Sequence, residues 1–371
     1  RQDGAAPLGI RSLIAAALFV SAAWAQETRS TKVYGVVADY SDTRSFPGGP
    51  EKLRRILRTA RSFHAEGSGG AHDLVAEVHP VLLQLPQARP PGRCQRPDTA
   101  ALSAALREAG IDLGGRHALV LVVPPSAQGC PGGVQTVFRH VEADGITRAV
   151  PLAVSWSLTE RYVTHEIVHT YGVGHANSLS CRKATLAADC RVREYGNAWD
   201  LMGHDGGGLR MISAPIRAYL GWTRPLVHEA GRATYTIGAA TKAGGLPTAV
   251  AVRLPRAGGD AVKVQTPLAL WVEYRAAYGF DTRMARARGG GFPGGAMVNL
   301  TGSWRSGTGD TARTIVCART APCLLDMTPS TPTFGDAALA VGQTWTHPFT
   351  GTRITVDGRT DTTLTVTVSS P

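Results

Sequence analysis

Lysine is nearly absent from this chain. Of its 39 basic residues 34 are arginine, and the five lysines never cluster. Aromatic residues make up only 6%. The net charge of +11 therefore lacks the basic helix or aromatic-interleaved stripe of a nucleic-acid binder, and the scattered arginines read as a solvated surface. The six cysteines include no C-x-x-C pair, which excludes a zinc ribbon built from them. No stretch reaches 18 consecutive apolar residues, so no helix is expected to insert stably in a membrane. No internal repeat is present, which excludes a solenoid. What remains is the composition of a folded protein, 43% hydrophobic and 18% charged, with 371 residues, enough for two domains.

The N-terminus reads as an export signal. Arg1 and Arg11 flank a short basic region, Leu13 to Ala23 is apolar, and Ala23-Trp24-Ala25 offers an A-x-A cleavage site before Gln26. Cleavage near Ala25 predicts a secreted protein, extracellular or periplasmic. In such a compartment the cysteines are expected to pair. Six allow fifteen pairings. Proximity favours Cys181 with Cys190 and Cys317 with Cys323, which leaves Cys94 with Cys130.

The densest chemistry lies between residues 165 and 175, which read His-Glu-Ile-Val-His-Thr-Tyr-Gly-Val-Gly-His. On a helix, His165 and His169 stand one turn apart on the same face and can share one metal ion. Glu166 is offset by about a third of a turn, placed to reach a water on that metal without ligating it. Gly172 lets the chain leave the helix in a left-handed conformation, and the turn brings His175 round as a third ligand. With this composition the five fixed positions would coincide by chance on the order of 10⁻⁵ times per chain, too rarely for histidines that merely pack. Three neutral imidazoles leave one position of a zinc tetrahedron open, the mark of a catalytic rather than a structural site. Zinc (one catalytic ion) is the expected cofactor. Glu166 is the expected general base and acid for hydrolysis of a peptide bond.

The hydrophobic patterning places this motif in a mixed α and β region. Lys32 to Asp39, Ala118 to Val123, Val134 to Val141 and Ala149 to Val154 read as strands. Pro50 to Arg61 reads as an amphipathic helix, followed by a loop rich in Gly, Pro and Arg. A second helix is capped by Asp98 and ended by Gly110. Ser157-Leu158-Thr159-Glu160 has the form of a capping box, which starts the motif helix at about residue 158. Ser213 to Leu220 predicts another short helix, closed by Gly221 and Trp222. Beyond Thr223 strands alternate with turns: Ala233 to Ile237, Ala249 to Leu254, Ala269 to Arg275, Ala296 to Leu300, Thr352 to Val356 and Thr363 to Val368. This pattern predicts an all-β, sandwich-like domain over residues 224–371. Glu273 and Arg275 within it are candidates for structural ion pairs.

With the three histidines on the page, the motif resembles that of the metzincin zinc metallopeptidases. That group carries a methionine turn beneath its metal. Here Met202, 27 residues after His175, is the candidate, with Met211 ranked second. The segments Tyr195 to Gly203 (Y-G-N-x-x-D-x-M-G) and Ala214 to Trp222 (A-P-x-x-x-x-L-G-W) narrow the resemblance to gametolysin-like peptidases in a secreted bacterial form. It covers roughly residues 165–222. The founding algal enzyme of that family has Gln at the position of His165, so this chain carries the general metzincin form. His204 stands where some metzincins have a switchable tyrosine, and that role does not carry over.

The resemblance implies an α+β catalytic domain over residues 26–223, with a twisted mixed sheet, an active-site helix and a C-terminal helix. It also implies a zinc metalloendopeptidase acting on proteins or peptides, extracellular-matrix or cell-wall proteins among them. Gly92 to Asp98 also resembles the P-R-C-G-x-P-D cysteine switch of matrix metalloproteases. However, the strand at Lys32 to Asp39 lies upstream of it, and a propeptide should not sit inside the domain it blocks. A disulfide is the preferred fate of Cys94. The alternative from another class is a noncatalytic adhesion or carbohydrate-binding protein on the same scaffold. Intact Glu166 argues against it. The remaining histidines, His64, His72, His79, His117, His140, His228 and His347, lack ligand spacing and read as structural.

Overall fold

A computed structural model describes residues 29–371 except 92–93, 126–129, 131, 143, 204–207, 256–257, 260–261, 287–293, 307–312 and 332. The expected export signal over residues 1–25 and His204 lie outside the described residues.

The front of the chain builds a mixed sheet. Strand β1 (Arg29–Asp39) and helix α1 (Gly49–Ser68) lead to strands β2 (His72–Val78) and β3 (Leu83–Gln84). Helix α2 (Thr99–Glu108), strands β4 (Ala118–Val122), β5 (Gly133–Val141) and β6 (Thr147–Ser155), and helix α3 (Glu160–His169) follow. Across the sheet the order is β2-β1-β4-β6-β5, with β3 beside β1. The first four strands run parallel, and β5 is antiparallel at the edge. Strand β4, with the sequence ALVLV, is buried along its whole length. Its alternation divides the core: Leu119 and Leu121 pack with Leu102 and Leu106 of α2, whereas Val120 and Val122 pack with α1 and α3.

Helix α1 buries Leu53, Ile56, Leu57, Ala60 and Phe63, one stripe at helical spacing. It does not stop near Arg61 as the sequence suggested. It continues to Ser68, and the expected loop gives way to β2, which pairs in parallel with β1. The extension has a packing reason. Gly67 is buried where an added Cβ would lie 2.8 Å from Met211 Sδ and 2.9 Å from Trp222, so only glycine lets α1 approach them this closely.

After α3 come β7 (Asn177–Ser180), β8 (Arg191–Arg193) and helix α4 (Ala214–Tyr219). The remainder is mostly strand: β9 (Leu226–His228), β10 (Gly231–Gly238), β11 (Ala249–Arg253), β12 (Gly258–Gly259), β13 (Val262–Tyr274), β14 (Ala296–Ser306), β15 (Arg313–Cys317), β16 (Cys323–Leu325), β17 (Thr344–Thr346), β18 (Arg353–Arg359) and β19 (Thr363–Ser370). One sheet runs β10-β19-β18-β17. A larger one runs β8-β7-β16-β14-β13-β11-β9, with β12 beside β13 and β15 beside β14. Ile237, Val356 and Val366 of the first share one core with Val252, Leu270 and Val298 of the second, so the two sheets pack face to face. Strand β13 starts well before the expected Ala269. Its register against β14 shifts on either side of Pro267, and a proline is tolerated in a strand at such an irregularity. Strands β7 and β8 precede residue 223 yet belong to the larger sheet, so this sheet crosses the boundary expected at 223 and 224.

The chain is thus β-rich, with few helices and mixed sheets. Disulfides join Cys94 to Cys130, Cys181 to Cys190 and Cys317 to Cys323, the pairs that proximity favoured. They are consistent with an oxidising, extracellular setting. Among the described residues no helix is long and apolar enough to cross a membrane.

The two parts are joined by buried charge. Arg217 of α4 lies 3.1 Å from Glu273 of β13, and Glu273 also accepts the Ala214 N–H and the Asn299 side-chain amide. Arg275 pairs at 2.7 Å with Asp281, which accepts the Met211 N–H. Glu273 and Arg275 are therefore both ion-paired, each with a partner elsewhere. Glu273→Ala should leave the Arg217 guanidinium buried without its carboxylate and cost about 3–5 kcal/mol, read as a lower urea midpoint. An unchanged midpoint would show that the pair is not needed.

A cluster of rings seals α1 against the motif helix. The His64 Nδ1–H donates to the Ala60 carbonyl at 2.7 Å, and Nε2 faces the Tyr171 hydroxyl at 3.3 Å. Burial pushes the His64 pKa down to about 3. The unfolded chain accepts a proton near pH 6.5 that the folded chain refuses. This contribution to stability is intact above pH 6.5 and is lost as pH falls toward 3. Melting temperature should drop between pH 6.5 and 4.5, and drop less in His64→Gln. Parallel curves for the two proteins would contradict this assignment.

Candidate metal centre

The motif helix starts one step later than its sequence suggests. Thr159 is extended, with φ −126°, and its hydroxyl accepts the Tyr162 N–H at 3.4 Å, so the cap is Thr159 and not Ser157. Ser157 is engaged elsewhere: its carbonyl accepts from the Ser155 hydroxyl at 2.8 Å. Glu160 accepts from Thr59 at 3.0 Å and ties α3 to α1. At the other end the helix finishes at His169, and Gly172, with φ 80°, turns the chain back toward the site.

The three motif histidines converge. Each offers one ring nitrogen, and these nitrogens lie within 4.8 Å of one another. Their protonation follows from their other contacts. His165 Nδ1 faces the Leu201 carbonyl at 3.0 Å, and His169 Nδ1 faces the Val173 carbonyl at 2.7 Å. His175 Nδ1 faces Glu194 Oε1 at 2.6 Å. All three partners are acceptors, so each Nδ1 carries a proton, and in the buried His165 and His169 this leaves Nε2 with a bare lone pair. His165 Nε2 and His169 Nε2 then stand 3.0 Å apart with no proton between them. Two lone pairs face to face repel, and a cation between them relieves the repulsion. Burial lowers the pKa of His165 to about 3 and of His169 to about 4, so a proton is a poor substitute. The donor set and its orienting partners fit a divalent metal ion.

Tyr195, a non-glycine residue with φ 58°, stacks on the His175 ring at 3.6 Å between centroids. Its N–H is held by the Asn177 side chain at 3.2 Å. Spacing along the sequence gives Tyr195 no role beyond its place in the segment to Gly203 and does not single out Glu194. Their signal was contact across a turn, which spacing does not carry.

Met202 is fully buried, in one core with Val168 and Val173 of the motif. Its carbonyl accepts the Ala176 N–H at 2.9 Å, next to His175, and the preceding carbonyl of Leu201 holds His165. Asp200 fixes this turn by accepting the Met202 N–H at 2.8 Å and the Ser213 N–H at 2.7 Å. Met211 is equally buried in the same core and packs against Gly67 of α1.

Glu166 is 4% exposed, and burial pushes its pKa up to about 8. It lies against the start of β5, where a Cβ on Gly133 would stand 2.7 Å from Glu166 Cγ. Strand β5, the edge of the front sheet among the described residues, therefore runs past the carboxylate. A groove of about 750 Å³ between α1 and the start of α3, lined by Lys52, Arg55, Arg58 and Phe280, contains none of these site residues.

No family model matches the chain, and no curated protein matches it. Among solved structures it aligns with the C-terminal lobe of a budding yeast Argonaute at 8% identity, over 78% of this chain and 42% of that one, with a TM-score of 0.23. The chain spans less than half of that structure, and a likeness this weak carries no argument.

Removing the carboxylate that orients His175 should weaken metal binding without unfolding the chain. Glu194→Ala is expected to lose about 10- to 100-fold in zinc affinity, measured by chelator competition. Affinity within twofold of the parent would remove Glu194 from the site.

Proposed function

We propose that this chain is a secreted zinc-dependent endopeptidase of metzincin type, gametolysin-like. The single observation that carries the reading is the convergence of three histidine ring nitrogens, within 4.8 Å of one another, beside a buried Glu166. His165, His169 and His175 would hold the ion, and their all-nitrogen set suits zinc. Zinc bound there supplies Lewis acidity and a water of lowered pKa.

The chain's own residues supply the rest. Glu166 takes a proton at its carboxylate and returns it to the departing amine. Its burial suits this exchange, because a carboxylate raised toward neutrality accepts and releases a proton near physiological pH. The open edge of β5 offers backbone N–H and C=O groups to an extended peptide, which would add as one more strand and bring its scissile bond to Glu166. Met202 packs in one core with Val168 and Val173 of the motif, and Asp200 joins its turn to Ser213. The substrates are proteins or peptides, with extracellular-matrix and cell-wall proteins as the class to test first.

Glu166→Ala should still bind one zinc ion per chain and lose about 10²–10⁴-fold in casein hydrolysis. A zinc-loaded parent protein that leaves every peptide in a broad library intact would sink the protease reading. A noncatalytic adhesion or carbohydrate-binding role would then stand in its place.

A further inference from the structure

His165 and His169 are fixed by one helix, whereas His175 lies in irregular backbone beyond it. Whatever fixes the third ligand must come from elsewhere. The residues on both sides of it are held by the turn that joins β15 to β16. The Gly174 N–H donates to the Thr320 carbonyl at 2.8 Å, and the Asn177 N–H donates to the Pro322 carbonyl at 2.8 Å. Ala321 Cβ would lie 3.2 Å from a Cβ placed on Gly174, so the two backbones are in close contact.

The same turn reaches His175 by a second route. Strand β16 pairs in parallel with β7, through Cys323 with Asn177, Leu324 with Ser178 and Leu325 with Leu179. Strand β7 pairs in turn with β8, through Ser178 and Arg193. Directly after β8 come Glu194, the hydrogen-bond partner of His175, and Tyr195, its stacking partner. The ligand's backbone and both side chains that orient its ring are thus carried by one strip of sheet, and β16 is the member of that strip nearest the core.

The turn is itself rigid. The Cys317–Cys323 disulfide closes it, with both cysteines fully buried. Inside it the Ala321 N–H donates to the Ala318 carbonyl at 3.0 Å, and Arg319 lies over the Trp271 ring at 5.2 Å. Strands β14 and β16 pair at Leu300 and Cys323, which anchors the turn to the centre of the larger sheet.

We propose that the disulfide-closed turn Cys317–Cys323 is a positioning device for the third metal ligand, so that the downstream β-rich part sets the metal affinity of a site whose ligands all lie upstream of it. This rests on the metal-site reading above. A positioning role differs from plain structural support in what it alters: it should change affinity for the ion in a chain that remains folded.

The test is zinc binding by the full chain, measured by chelator competition, with the melting temperature of the metal-free protein recorded alongside. Cys317→Ala/Cys323→Ala should lower zinc affinity about 10- to 100-fold, as loss of an orienting partner does. Cys94→Ala/Cys130→Ala, which opens a disulfide in the front sheet, should stay within twofold of the parent. Ala321→Leu serves if the first double variant fails to fold. It keeps the disulfide but presses on Gly174, and it should lower affinity at least fivefold with little change in metal-free melting. Parent-like affinity in a folded Cys317/Cys323 variant or in Ala321→Leu overturns the proposal, as does an equal loss in the Cys94/Cys130 variant. A parent protein that binds no zinc overturns both this proposal and the metal-site reading. Parent binding that depends on His175, with turn variants unchanged, overturns the positioning role alone.

Discussion

Three imidazole rings must be kept close together, two of them with bare nitrogens that repel each other, and the surrounding structure answers that requirement. A helix supplies two of them at almost no conformational cost, because i and i+4 already share a face. Each ring is then oriented from behind by an acceptor: two backbone carbonyls and one carboxylate. The Leu201 carbonyl belongs to the turn that ends in Met202, and Asp200 braces that turn. The turn at Met202 and the His165 ring are therefore parts of one hydrogen-bonded unit. The low pKa values of His165 and His169 and the raised pKa of Glu166 share one origin, burial. A dry site discourages charge on every group, and a dication would offset that for all of them together.

The ligands were legible in the sequence because they depend on local geometry. A four-residue spacing, a glycine in the left-handed region and a glutamate beside the first histidine specify their own arrangement in any helix that turns at its end. The same holds for the Asp98 cap and for the continuous apolar run of β4. The cysteine pairs were legible for a related reason, since chain proximity limits which ends can meet.

Less local features were hidden. Strand β2, with the sequence HDLVAEV, has no alternation of polar and apolar residues, and its identity depends on pairing with β1. The true cap of α3 is Thr159, whose extended backbone and bond to the Tyr162 N–H residue type does not announce. Glu194 and Tyr195 act through a turn and a ring stack. Above all, the sequence shows a change of character near residue 223 where the structure shows continuity. The larger sheet takes two strands from before that point, the buried Arg217–Glu273 pair spans it, and Arg275 and Asp281 reach back to the Met211 backbone. The composition of a segment says what it can form and not with whom it pairs.

The parallel pairing of β7 with β16 joins Asn177 to Cys323. A chain that emerges from its N-terminus can fold the motif helix long before residue 323 is available, and long-range pairings of this kind form late. For most of its synthesis and transit the protein would hold two ligands in place and the third in a loop not yet anchored. The metal site would be completed only when nearly the whole chain had passed. Order of emergence alone would then keep the histidine cluster unassembled until the last strands had folded.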